Sequence, residues 1–209
     1  MKEHRRLDPA SLRLVAITDS LGDGMDGLVA RAASVVRGGA TMVQLRLKDE
    51  SPRTLVEVAR RLRLAIPDVP LLVNDRADVA LAAGAQGVHL GVEDVPAGAL
   101  RRVVPEWFVI GASAGDAEQL RALADADYVA VGPVFARAGT TALGLDGLGE
   151  MAAVASVPVL AIGGITAGNA AAVIEAGASG VALISELLRV ADPMQRARAF
   201  RDALDATER

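Results

Sequence analysis

The chain has 209 residues, of which 52% are hydrophobic and 23% charged, a composition that suits one globular domain with a sizeable core and not a disordered chain. Its formal net charge of -4 provides no overall basic field for nucleic acid, so a small anionic ligand would need a local cationic pocket. The absence of cysteine excludes disulfides, zinc thiolates and a cysteine nucleophile.

Residues 1–11 are expected to form a flexible tail. Met1 to Asp8 is charged and lacks the apolar stretch of a secretory signal, and no apolar run reaches the length of a membrane span. The expected location is therefore the cytoplasm. From there, short β-branched runs alternate with longer Ala-, Leu- and Arg-rich segments that carry apolar residues at helical spacing. Strands are expected over 12–18, 42–46, 71–74, 87–90, 108–113, 128–132, 159–162 and 181–184. Helices are expected over 26–36, 52–64, 77–83, 97–104, 117–124, 148–155, 169–176 and 193–206. Glycine recurs between helix and strand, as in Gly38-Gly39, Gly84 and Gly177, where a left-handed helix cap is the usual reason. Eight such units over 1–209 predict a single α/β domain, a (β/α)8 TIM barrel. A doubly wound open sheet is the rival, less favoured because no Gly-x-Gly-x-x-Gly turn follows the first strand.

A barrel of this kind places its chemistry just past the C-terminal ends of its strands. Gln44, Arg46 and Lys48 alternate with Leu45 and Leu47, so the three polar side chains share one face of an extended segment. Pointing into the barrel mouth, Arg46 and Lys48 would need an anion, which Arg grips bidentately and Lys meets as a point charge. Lysine occurs only at Lys2 and Lys48, which sets Lys48 apart. The alternative is an outward polar strand end held by salt bridges. Asp75 and Asp94 end neighbouring strands and could face one Mg2+ that bridges to a diphosphate, or could merely cap a helix and tie a loop. Asp78 reads as a solvated or helix-dipole residue, and His89 as a packed histidine. Gly163-Gly164 and Ile184-Ser185 follow the last two strands, where backbone N–H groups often hold a phosphate. Two ordinary glycine turns are the alternative there.

Six segments in order resemble the thiamine-phosphate synthase family: Val43-Gln44-Leu45-Arg46-Leu47-Lys48, Val73-Asn74-Asp75-Arg76, Gly87-Val88-His89-Leu90-Gly91, Ile110-Gly111-Ala112-Ser113, Val131-Gly132-Pro133-Val134-Phe135 and Ala161-Ile162-Gly163-Gly164-Ile165. The resemblance spans nearly the whole chain. It implies a transferase of thiamine biosynthesis that joins a hydroxymethylpyrimidine diphosphate to a thiazole phosphate and releases pyrophosphate. It further implies that Gln44 to Lys48, Asn74 and Ser113 hold the pyrimidine diphosphate, with Arg46, Lys48 and Ser113 as the catalytic set. By the same resemblance Asp75 and Asp94 bind Mg2+, and Gly164, Ile184 and Ser185 hold the thiazole phosphate, with Gly163 added to the binding set as the glycine beside Gly164 that allows close backbone approach. The family usually carries Thr-x-Thr-Lys after Gly-Pro-Val-Phe. Here that segment runs Ala136-Arg137-Ala138-Gly139-Thr140-Thr141 and lacks the lysine. Arg137 would supply the cation, and Thr140 and Thr141 the hydroxyls. Val92 stands where the family often has glutamine. Small phosphorylated molecules are the expected partners, with no nucleic acid or membrane, and a homo-oligomer stays open. Two alternatives also stay open. One is the sister family of thiazole tautomerases, which usually has histidine in place of Pro133. The other is a non-catalytic phosphate-binding barrel.

Overall fold

The computed structural model describes residues 6–136 and 141–208. Eight parallel strands close into a barrel in sequence order: β1 (Leu14–Ile17), β2 (Met42–Leu45), β3 (Leu71–Asn74), β4 (Gly87–Leu90), β5 (Val109–Ala114), β6 (Tyr128–Val131), β7 (Val159–Ile162) and β8 (Gly180–Leu183). β8 pairs back onto β1, with Val15 opposite Ala182, so no edge is left open. The crossovers are α1 (Gly24–Arg37), α2 (Pro52–Ala65), α3 (Ala77–Ala83), α4 (Ala97–Arg101), α5 (Ala117–Arg121), α6 (Gly144–Val154), α7 (Ala170–Glu175) and, after β8, α8 (Ser185–Leu188) with α9 (Pro193–Asp205).

Strand parity divides the core in two. Leu14, Ala16, Val43, Leu45, Val73 and Val129 face outward and pack on the helices. Val15, Ile17, Met42, Leu72, Val109, Tyr128 and Leu160 face inward and fill the barrel. Because both faces are buried, the strands read as continuous apolar runs. α2 shows how a helix joins this core. Leu55, Val58, Ala59 and Leu62 fall on one buried stripe, Pro52 opens the first turn, and Ser51 caps it by accepting from the Thr54 amide at 3.1 Å.

Three differences from the sequence expectation have physical causes. Residues 9–12, within or beside the expected tail, form a 3-10 turn capped by Asp8, and Leu7 and Leu12 plug the bottom of the barrel. Their two apolar side chains are too few to show a period. α8 is one turn long, which is also too short for periodicity to reveal. α4 and α5 stop at Arg101 and Arg121, short of the expected ends, with non-helical turns carrying the chain on.

Candidate active site

The inward parity that fills the barrel with aliphatic side chains changes character at the C-terminal ends of the strands. There the residues that continue the inward rows line a cavity of about 440 Å³. Gln44, Arg46 and Lys48 line it, while the alternating Leu45 and Leu47 are buried in the outer core. Asn74, Asp75, Glu93, Asp94 and Ser113 complete its polar side. Ile17, Leu160, Ile162, Ala182 and Ile184 form an apolar wall. One polar and one apolar half in a single cavity suits a flat heterocycle that carries a charged group.

Hydrogen bonds at the strand ends hold several of these residues in place. Thr18, fully buried, accepts a hydrogen bond from the Arg46 amide at 2.8 Å and ties the exit of β2 to β1. Gln44, only 3% exposed, donates from Nε2 to Asn74 Oδ1 at 2.8 Å, so the two amides brace each other across β2 and β3. Asp75 has a left-handed backbone at φ 61, unusual for a residue with a Cβ. Its amide still donates to the His89 carbonyl at 2.8 Å, which carries the β3–β4 ladder one residue past the end of β3. Asp94 Oδ2 accepts from the Gly91 amide at 2.6 Å and fixes the turn after β4.

The charges are arranged in opposition. Asp75 is pushed up to about 6, first by desolvation and then by a side-chain hydrogen bond to Asp94 and the negative charge of that residue; Lys48 and Arg46 act in the lowering direction. A carboxyl raised by its carboxylate neighbour at the cavity mouth belongs to a hard-oxygen donor pair whose repulsion a divalent cation would remove. Among the described residues no cluster of three or more His, Cys, Asp or Glu side chains could hold a metal. Any cation the two carboxyls held would keep most of its positions for water and substrate oxygens. Asp78 is engaged elsewhere, in an exposed ion pair with Arg76 at 2.6 Å.

The cavity brings together Gln44, Arg46, Lys48, Asn74, Asp75, Asp94, Ser113 and Ile184 from the expected set. Gly163, Gly164 and Ser185 lie beside it, after β7 and at the start of α8, but are not part of its lining. Gly163 and Gly164 have φ of 98 and 67, and a Cβ on either would come within 2.7 Å of Pro133 or 2.6 Å of Phe135. Glycine is thus required there by the packing of the loop after β6, whatever the ligand. Thr141 is exposed and not in the lining, and Arg137 and Thr140 lie outside the described residues.

Sequence reasoning missed His89 as a participant. His89 is packed, as expected, but it also lines the cavity and sits between two hydroxyls. Its Nδ1 is 2.9 Å from the Tyr128 hydroxyl and its Nε2 is 3.0 Å from Ser113 Oγ. Burial lowers it to about 4, so it is neutral near pH 7. The available signal was parity: His89 stands opposite Asn74 in the β3–β4 register, on the inward row.

A family model described as thiamine monophosphate synthase matches residues 14–187. The thiamine-phosphate synthase of Methanoculleus marisnigri is 46% identical over 205 residues, covering 93% of this chain and 96% of the relative. That of Koribacter versatilis is 44% identical over 200 residues, covering 90% and 93%. Among solved structures, thiamine phosphate pyrophosphorylase from Pyrococcus furiosus superposes with a TM-score of 0.86 at 34% identity, covering 95% of this chain and 98% of that one.

Proposed function

Since the chain belongs to the thiamine monophosphate synthase family, it is a transferase that makes thiamine phosphate, and we propose that the cavity at its barrel mouth carries the reaction through loss of pyrophosphate from a pyrimidine diphosphate. The observation that supports this most is the meeting of Arg46 and Lys48 with the Asp75–Asp94 pair in one cavity. Cations alone would suit any anion. Cations beside two facing carboxyls suit a metal-bound polyphosphate.

Arg46 and Lys48 bind the oxygens of the diphosphate, and their charge counts most as the C–O bond breaks and pyrophosphate takes up the electron pair. Asp75 and Asp94 would hold Mg2+, which when bound supplies further neutralisation of the leaving group. The braced amides of Gln44 and Asn74, with Ser113, orient the pyrimidine, whose amino group stabilises the carbocation left behind. The thiazole nitrogen then forms the new C–N bond. Loss of pyrophosphate and gain of the thiazole balance the step, and no protein nucleophile is needed, so positioning does much of the remaining work. Backbone groups around Gly163, Gly164, Ile184 and Ser185 would hold the thiazole phosphate at the neighbouring ends of β7 and β8. In place of the family's Thr-x-Thr-Lys segment, Arg137 would supply a cation to the diphosphate and Thr140 and Thr141 the hydroxyls.

The test is to mix purified protein with the pyrimidine diphosphate, the thiazole phosphate and Mg2+ and to assay for thiamine phosphate and pyrophosphate. Formation of both products supports the reading, and no product with or without metal overturns it. No helix among the described residues is long and apolar enough to cross a membrane.

A further inference from the structure

The His89 imidazole links a buried phenol to a hydroxyl that faces the cavity, and the direction of that link is open to physical argument. Tyr128 is fully buried inside the barrel, and its ring lies 5.6 Å from that of His89 at an interplanar angle of 29°. A Cβ at Gly111 would collide with the Tyr128 ring, so glycine in β5 is what lets the phenol reach this place. Among the described residues the hydroxyl of Tyr128 has one hydrogen-bond partner, His89 Nδ1, and Ser113 Oγ likewise has one, His89 Nε2.

A neutral imidazole has one N–H, so two arrangements exist. If the proton sits on Nδ1, it donates to the tyrosine oxygen. The phenolic proton is then left in a dry interior without an acceptor, and Ser113 must donate to Nε2. If the proton sits on Nε2, the phenol donates to Nδ1 and Nε2–H donates to Ser113 Oγ. Every buried donor then has its acceptor, and the Ser113 proton is released toward the cavity. A buried donor without a partner carries its full desolvation penalty, so the second arrangement wins. Burial supports it by holding the phenol well above its usual range, which keeps the hydroxyl a donor.

We propose that Tyr128 acts as a positioning residue that fixes His89 in the Nε2–H form, so that Ser113 meets its ligand as a hydrogen-bond donor and selects an acceptor atom, a phosphate oxygen or an unprotonated ring nitrogen, over an amino group. The choice of ligand atom rests on the proposed reading of the cavity as the diphosphate site; the tautomer does not.

The chain has two histidines, so a His4→Gln variant labelled with 15N-histidine reports on His89 alone. Couplings to the ring protons tell a protonated Nε2 from a protonated Nδ1. The expected result is a single Nε2–H form, and Tyr128→Phe, which removes only the hydroxyl, should give a mixture of both. A single Nδ1–H form in the parent overturns the proposal, as does an unchanged Nε2–H form in Tyr128→Phe. If that variant does not fold, the parent spectrum still decides the tautomer: an Nε2–H form supports the proposal and an Nδ1–H form overturns it. In kinetics, Tyr128→Phe should lower kcat/KM for the pyrimidine diphosphate roughly three- to tenfold and leave the KM of the thiazole phosphate unchanged. In a Ser113→Ala background the same change should have no further effect, whereas a purely structural loss would add to it. An Nε2–H signal in a protein that makes no thiamine phosphate supports the tautomer and overturns only the reading of the cavity.

Discussion

Acidification should weaken the fold through His89, and a single substitution can isolate the effect. His89 is held at about 4 when folded, against an ordinary value of 6.5. A depressed value means that the unfolded chain takes up its proton first. The stabilisation from keeping His89 neutral is therefore complete above pH 6.5, shrinks as the pH falls, and is gone below about 4. The full span is about 3 kcal/mol, and about 2 kcal/mol of it is lost between pH 7 and pH 5. Asp75 works in the opposite direction. It is raised to about 6, so its contribution is greatest at low pH and is lost as the pH rises through that value. The pH dependence of the wild type alone therefore mixes the two. His89→Gln, a neutral polar substitute, leaves the Asp75 contribution in place. Urea unfolding of both proteins at pH 7, 6 and 5 should show the wild-type advantage shrinking by about 2 kcal/mol across the series. An advantage that stays constant from pH 7 to pH 5 would refute a buried neutral His89.

In metal-free protein, Asp75→Asn should hold or raise the melting temperature, because it removes the repulsion with Asp94; the variant should also lose the rise that Mg2+ gives the wild type, which a thermal melt with and without metal reads directly. Arg46→Ala or Lys48→Met should each lower kcat by about 10²–10³, the usual effect of deleting a group aimed at developing charge, with kcat/KM in steady-state assays as the check. Gly164→Ala places a Cβ 2.6 Å from Phe135 at a backbone φ of 67, and should cost about 1–3 kcal/mol in urea unfolding. Leu7→Ala opens the plug beneath the barrel and should cost about 2–5 kcal/mol, whereas a residue in a free tail would cost nothing measurable.

The sequence by itself determined the barrel and much of its mouth. Repeated apolar runs and glycine-ended helices allow little else at this length, and the bounds expected for β3, β4, β7 and α3 are those observed. Parity alone placed Gln44, Arg46 and Lys48 on one face, because side chains of an extended segment alternate whatever surrounds them. The tertiary structure decided which of the other strand-end residues share that space. Gly163 and Gly164 look like phosphate-loop glycines in sequence, yet the nearness of Pro133 and Phe135 is what forbids a side chain there. His89 looked like inert packing, because its partners Tyr128 and Ser113 lie 39 and 24 residues away. Local pattern reports the direction of a side chain, but only the pairing of β4 with β5 and of β5 with β6 sets those strands in register, and the hydrogen bonds of His89 cross between them.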